Sequence, residues 1–138
     1  MIQKEVAERV VASPGTKDYG VLTVEIDYKA EAEIIASVPA KSFYPSPEVD
    51  SALIKLTMRE SPEVYIKDEE IFSKVVKGAF RHRRKTLRNS LAASPLPLSK
   101  KVLDDILEKL SIDPMRRGET LTISEFAQLT NNITEILS

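Results

Sequence analysis

The stretch Ser51-Ala52-Leu53-Ile54-Lys55-Leu56-Thr57-Met58 runs directly into Arg59-Glu60-Ser61-Pro62-Glu63, and the change from the first to the second decides how the chain is built. Eight residues rich in aliphatic and β-branched side chains read as a β-strand. The polar, proline-bearing segment after them is a breaker, and a few residues beyond it the apolar spacing becomes helical. The chain therefore reads as α+β, with residues 1–60 carrying the strands and residues 61–138 forming a small all-α piece. Charge divides in a similar way: residues 1–66 hold seven basic and eleven acidic side chains, residues 67–138 thirteen and ten. The asymmetry assigns the two pieces different jobs.

Upstream of that strand, Glu33 to Val38 is its natural partner, and Lys41-Ser42-Phe43-Tyr44-Pro45-Ser46-Pro47 is the loop of the resulting hairpin. Lys4 to Val11 reads as a short helix ended by the turn signal Ser13-Pro14-Gly15. Leu22, Val24, Ile26 and Tyr28 alternate with polar residues, which on its own argues a half-buried strand. Downstream, Phe72, Val75, Val76, Ala79 and Phe80 recur at helical spacing behind the acidic start Asp68-Glu69-Glu70. Ser99 is placed to cap a helix with Val102, Leu103, Ile106, Leu107 and Leu110 on one face. Thr122-Ile123-Ser124-Glu125 has capping-box spacing and opens a helix expected to turn Phe126, Leu129, Ile133 and Ile136 inward.

Composition removes several classes of function. The 138 residues are 42% apolar, enough for a real core. Without cysteine and with one histidine, the chain offers no disulfide, no thiolate and no typical zinc site, so no metal is expected. No apolar run approaches the ~20 residues of a membrane span, and the first residues lack the apolar core of a secretory signal; the expectation is a cytoplasmic protein with no membrane partner.

Twenty basic residues against twenty-one acidic ones leave a nearly neutral chain, so Arg81-His82-Arg83-Arg84-Lys85-Thr86-Leu87-Arg88-Asn89 is a local concentration of positive charge. Such crowding is costly unless an anion lies opposite, and nucleic acid is the usual one. If Phe80 to Leu91 is one helix, Phe80, Leu87 and Leu91 form a docking stripe, while Arg81, Lys85 and Arg88 form a second stripe suited to backbone phosphates. The plainer alternative is a solvated face with internal ion pairs, Arg83 and Arg84 meeting carboxylates of a neighbouring helix. Phe43 and Tyr44, braced by prolines, either lid the core or stack on a base. His82 has no acidic or nucleophilic partner nearby in sequence, which argues against catalysis. Arg116-Arg117-Gly118-Glu119 reads as a turn, with Gly118 available for positive φ and Arg117 bonded either to helix-end carbonyls or to a phosphate.

Four stretches in order resemble the C-terminal half of the KsgA-type small-subunit rRNA adenine dimethyltransferases. They are Gln3-Lys4-Glu5-Val6-Ala7-Glu8-Arg9, the Phe-x-Pro-x-Pro-x-Val-x-Ser pattern at Phe43-Tyr44-Pro45-Ser46-Pro47-Glu48-Val49-Asp50-Ser51, the basic Arg83-Arg84-Lys85-Thr86-Leu87-Arg88-Asn89, and Asp113-Pro114 with Arg116-Arg117-Gly118-Glu119-Thr120-Leu121. The last favours this family over the related large-subunit methyltransferases of macrolide resistance. The resemblance implies the closing part of a Rossmann-like S-adenosylmethionine-dependent domain, helices plus a β-hairpin, followed by the small helical domain. It implies a reaction in which two adjacent adenines are flipped from a small-subunit rRNA hairpin and dimethylated during ribosome biogenesis. It assigns Phe43 to the target-adenine pocket, as a stacking group and not a proton carrier, and Arg83, Arg84, Lys85, Arg88 and Arg117 to rRNA. It also places a helix at Leu22 to Tyr28, and that reading is preferred to the alternation.

The family's Gly-rich cofactor loop and its Asn-Leu-Pro-Tyr motif have no counterpart here. The chain is accordingly expected to be the substrate-binding half of the enzyme, to bind S-adenosylmethionine poorly, to turn over nothing alone, and to have an open sheet edge through which it self-associates. Two other classes stand beside this reading: a non-catalytic RNA-binding or ribosome-assembly module, and a helical DNA-binding domain.

Overall fold

A computed structural model describes all residues, 1–138. The backbone divides into two compact units, Met1–Ser13 with Asp18–Glu63, and Pro14–Lys17 with Val64–Ser138.

The first unit contains β1 (Ile2–Gln3), α1 (Lys4–Val10), α2 (Val21–Lys29), β2 (Ala30–Val38) and β3 (Ser51–Met58). The sheet is antiparallel throughout, in the order β1-β3-β2. The expected hairpin is present, from Ala30 opposite Met58 to Val38 opposite Ser51, with a register irregularity between Ile34 and Ala36. Two features escaped the sequence reading: β1, which pairs only with Ser51 and Ala52, and the start of β2 at Ala30, directly where α2 ends.

α2 is helical despite its alternation. Thr23 at the start of the helix accepts from the Gly20 N–H at 3.2 Å, and its hydroxyl donates to the Arg9 carbonyl. That fixes which face turns inward. Thr23, Val24 and Tyr28 are buried, against Leu22 at 38% exposed, so the effective spacing is i, i+4 and the period-two pattern carries no weight. Ala7 and Val10 of α1, Tyr19, Ala30 and Ala52 complete this small core.

Arg59 closes the unit's end. Its guanidinium meets Asp27 at 2.8 Å, Glu63 at 2.9 Å and Glu31 at 3.3 Å, and its Nε donates to the Asp27 carbonyl at 2.9 Å. One cation thus ties the end of α2, the start of β2 and the segment after β3.

The second unit holds α3 (Glu69–Arg81), α4 (Leu87–Ala92), α5 (Lys100–Lys109) and α6 (Ile123–Leu137). The expected caps are made: Asp68 accepts from the Glu70 and Ile71 N–H groups, Ser99 from Val102, and Thr122 and Glu125 form the reciprocal capping box. The core collects Phe72, Val75, Val76, Ala79, Leu87, Leu91, Leu103, Ile106, Leu107, Leu121, Phe126, Leu129 and Ile133. Ile136, expected inside, is 51% exposed, in the last turn of α6.

The basic run is not one helix. α3 stops at Arg81, the Lys85 N–H turns back to the His82 carbonyl at 2.9 Å, and Thr86 begins α4 with its hydroxyl accepting from the Asn89 N–H. The break has physical causes. A continuous helix would stack Arg81, Arg84, Lys85 and Arg88 at i, i+3 and i+4, where like charges repel, whereas a threonine in extended backbone is a ready N-cap. Leu87 and Leu91 stay fully buried, so the docking stripe survives but the predicted cationic stripe does not.

Gly118 is likewise needed for a different reason from the one expected. It opens a 3-10 turn without positive φ, and a Cβ placed on it would lie 2.6 Å from the Ala79 carbonyl oxygen. The glycine permits close approach of two backbones; the positive-φ glycine is Gly15, at +85°.

Candidate nucleic-acid interface

In the second unit the end of α3 and the turn that follows it put Arg81, Arg83, Arg84 and Lys85 at the surface, all exposed. Their surroundings differ. Arg83 lies over the Phe80 ring, 5.7 Å from its centroid, and its guanidinium is 3.8 Å from the Glu119 carboxylate. Arg88, on α4, is half-buried and paired with Asp104 of α5 at 2.8 Å. Arg81, Arg84 and Lys85 form no ion pair. The two readings left open by the sequence thus divide among individual residues: Arg88 and, more loosely, Arg83 meet carboxylates, while Arg84 and Lys85 face water.

The segment 113–121 is fastened against this turn. The Leu87 N–H donates to the Arg116 carbonyl at 2.6 Å, and Gly118 lies against Ala79. Arg116, which the sequence reading did not single out, is the fastener. Its guanidinium binds both Glu125 carboxylate oxygens, at 2.5 and 3.0 Å, and also reaches the Thr120 carbonyl at 2.7 Å and hydroxyl at 3.2 Å. The hydrogen bond with Arg116 holds the Glu125 carboxyl below the ordinary glutamate range, and the same bond raises the arginine. Arg117, next to it, is exposed and forms no ion pair. The segments carrying Arg83-Arg84-Lys85 and Arg117, more than thirty residues apart, are thereby joined, with Arg83 reaching Glu119 across the junction. The signal that would have found Arg116 in the sequence is the capping-box glutamate, whose second oxygen needs a donor.

The Pro14–Lys17 loop reaches the same place, its Gly15 N–H donating to the Glu119 carbonyl at 2.7 Å. His82 sits at the C-terminus of α3, its N–H donating to the Ser90 hydroxyl at 3.4 Å, with no carboxylate beside it.

In the first unit the aromatic-proline loop borders an open cleft of about 660 Å³, lined by Phe43, Pro45 and Pro47 with Ile2, Val6 and Ser51 among others. Phe43 is half-buried at its wall. The loop is tied at several points: the Asp50 carboxylate accepts from the Ala40 N–H at 2.9 Å, the Asp50 carbonyl accepts from Lys4 at 2.9 Å, and the Ser46 hydroxyl donates to the Phe43 carbonyl at 3.1 Å. An apolar, ring-bearing cleft of this kind suits a flat heterocycle. It carries no group positioned for proton transfer.

The sequence model of the ribosomal RNA adenine dimethylase family matches residues 1–133. The chain belongs to this family. Among curated relatives, the ribosomal RNA small subunit methyltransferases A of Caldanaerobacter subterraneus and Geobacillus thermodenitrificans are 53% and 52% identical, each over 95% of this chain. Those alignments take in 48% and 45% of the relatives, so the chain spans about half the length of the proteins it matches. A dimethyladenosine transferase from Plasmodium falciparum superposes over 96% of the chain and 55% of its own, with TM-score 0.80 and 25% identity. The 23S rRNA methyltransferase ErmE, at 23% identity and TM-score 0.58 over 96% of this chain and 52% of its own, shares the fold. Family membership accords with the order of the four sequence motifs. No helix of the chain is long and apolar enough to cross a membrane.

Proposed function

We propose that this family member is the substrate-binding half of a small-subunit rRNA adenine dimethyltransferase that converts two adjacent adenines of a hairpin to their N6,N6-dimethyl forms during ribosome biogenesis in the cytoplasm. The observation that carries the reading is that Arg84, Lys85 and Arg117, exposed and without ion pairs, stand on two segments joined by the Leu87–Arg116 hydrogen bond and by the packing of Gly118 on Ala79. Cations held in place without carboxylate partners are what backbone phosphates require. Arg81 and Arg83 add to that set, and Arg88 contributes to the extent that phosphate competes with Asp104. Residues 61–138 are thus an RNA-binding domain, and residues 1–60 the closing part of a Rossmann-like methyltransferase domain. There Phe43 stacks on the flipped adenine, positioning its exocyclic nitrogen and excluding water from it.

In such a reaction S-adenosylmethionine supplies the methyl group. On this reading the residues present do not fit it: of the four glycines, Gly78 and Gly118 are packed against side chains or backbone, and Gly15 and Gly20, though open, are isolated in the sequence. Nothing here makes a glycine-rich cradle, and this chain's contribution is recognition of the RNA.

The test is binding of the chain to a small-subunit rRNA hairpin with unpaired adenines across a salt series, with duplex DNA as competitor. Preference for the hairpin is expected, with a steep salt dependence whose slope falls by about 0.7–0.9 for each phosphate contact removed in Arg84→Ala or Lys85→Ala. An unchanged slope in both variants, or equal competition by the DNA, would overturn the reading.

A further inference from the structure

Tyr44 stands apart from every other aromatic residue of the chain. Its ring is completely exposed, at 102% of its reference area, while the adjacent Phe43 turns into the cleft. Phe43 is extended, with φ −109° and ψ 156°, so successive side chains point to opposite sides of the strand-like backbone. A single apolar residue in water is ordinary. A tyrosine in water on a loop that is braced at both ends is a different matter. Pro45 and Pro47 restrict the backbone immediately after it, the Phe43 N–H is bonded to the Ala40 carbonyl at 3.2 Å, and the Ser46 hydroxyl to the Phe43 carbonyl at 3.1 Å. The loop is held at Ala40 by Asp50. This ordering stabilises no packing of the Tyr44 ring, which touches nothing, but it removes much of the entropy that binding on that ring would otherwise cost.

We infer that Tyr44 is a second base-stacking platform, taking the unpaired nucleobase beside the one that enters the Phe43 cleft. The inference rests on the proposed RNA-binding function and extends it to a residue that decides which single-stranded context is accepted. A base has a π-face whatever its identity, so the platform selects for an unstacked neighbour, not for a sequence. Glu48 and Asp50 nearby leave the loop without net positive charge, which makes stacking, not phosphate attraction, the interaction available at this point.

The experiment uses the 138-residue chain with the adenine-bearing rRNA hairpin and with the same strand closed into a full duplex. Tyr44→Ala should weaken hairpin binding by about five- to a hundred-fold, the range for loss of one base–aromatic stack. Duplex binding and the salt slope should be unchanged, since no charge is removed, and Tyr44→Phe should bind like the parent. With 2-aminopurine at the flanking loop position, the quenching seen on binding should be lost in Tyr44→Ala and kept in Tyr44→Phe. The ring makes no contact within the chain, so both variants should melt as the parent does, and a binding change reports the ligand. Parental hairpin binding by Tyr44→Ala, or an equal loss in Tyr44→Phe, would overturn the inference. If Arg84→Ala lowers the salt slope while Tyr44→Ala is silent, this inference alone fails; if neither changes anything, the RNA-binding reading falls with it.

Discussion

Removing the Arg116 guanidinium should loosen the second unit without changing how many phosphates it meets. Arg116 and Glu125 are 31% and 25% exposed in their side chains and share a two-pronged contact, to which Thr120 adds two further acceptors. A charge-assisted bond in such a setting is worth about 1.5–3 kcal/mol, reduced here because both groups are reached by water. Arg116→Ala should therefore cost about 1–2 kcal/mol, a fall in Tm of about 3–10 °C for a domain of this size. A double-mutant cycle with Glu125→Gln should give a coupling of about 1–2 kcal/mol, above the range of a surface pair. pH supplies an independent check. Arg116 holds the Glu125 carboxyl down, so the stabilisation is fully present above the unfolded-state value of about 4.3 and is lost as pH falls through the lower folded value. The stability gap between the parent and Glu125→Gln should be constant at neutral pH and close in strong acid. The salt slope of RNA binding should be the same in Arg116→Ala as in the parent, measured well below its melting temperature. A coupling below about 0.5 kcal/mol, or a gap that persists undiminished at low pH, would refute the assignment of Arg116 as the fastener.

Gly118→Ala places a methyl 2.6 Å from the Ala79 carbonyl, where only backbone can yield, and should destabilise by about 2–4 kcal/mol in denaturant unfolding; a neutral result would mean the close approach is absent. Arg59→Met, which keeps much of the stem but leaves Asp27, Glu31 and Glu63 facing one another, should cost about 1–2 kcal/mol and loosen the end of β2, seen as faster amide exchange around Ala30 and Glu31; parental exchange there would deny the clasp. We further propose that the chain self-associates through β3, which is unpaired on its β1 side beyond Ala52 and carries Leu53, Leu56 and Met58 exposed; sedimentation should show concentration-dependent dimers that Thr57→Pro reduces, and a monomer at every concentration would end the proposal.

How much of this was legible in the sequence depended on the range of the interaction involved. Helix faces and caps are local, and Asp68, Ser99 and Thr122 with Glu125 were readable at once because a capping side chain meets a donor only two or three residues away. The β2–β3 hairpin was readable because two apolar, β-branched runs flank a single proline-bearing loop, although its pairs reach as far as Ala30 with Met58. The helix Val21–Lys29 was not readable from its own pattern, because its buried face is chosen by Thr23 bonding to Arg9, fourteen positions earlier; resemblance to a family supplied what periodicity withheld. β1 is two residues long and exists only because β3 is there to receive it.

The basic run shows the same limit at the candidate site, and shows why charge density alone misassigns individual residues. Nine residues of sequence give a helical wheel whenever helix is assumed, yet the chain stops at Arg81 because Thr86 can cap and because the Leu87 N–H finds a carbonyl nearly thirty residues away. That single long-range bond reorganises the cations. Arg88, one of three on the predicted stripe, ends against Asp104, while Arg84, which the wheel left beside the apolar face, ends in water. The pair Arg116-Arg117 divides in the same manner, one residue turned to Glu125 and the other to solvent. A cation already paired in a half-buried site must give up its partner before it can meet a phosphate, so under the proposed function the residues expected to meet RNA are those the fold leaves without a carboxylate. On that criterion Arg81, Arg84, Lys85 and Arg117 should dominate the salt dependence and Arg88 should contribute least, an order that alanine variants measured one at a time can establish or reverse.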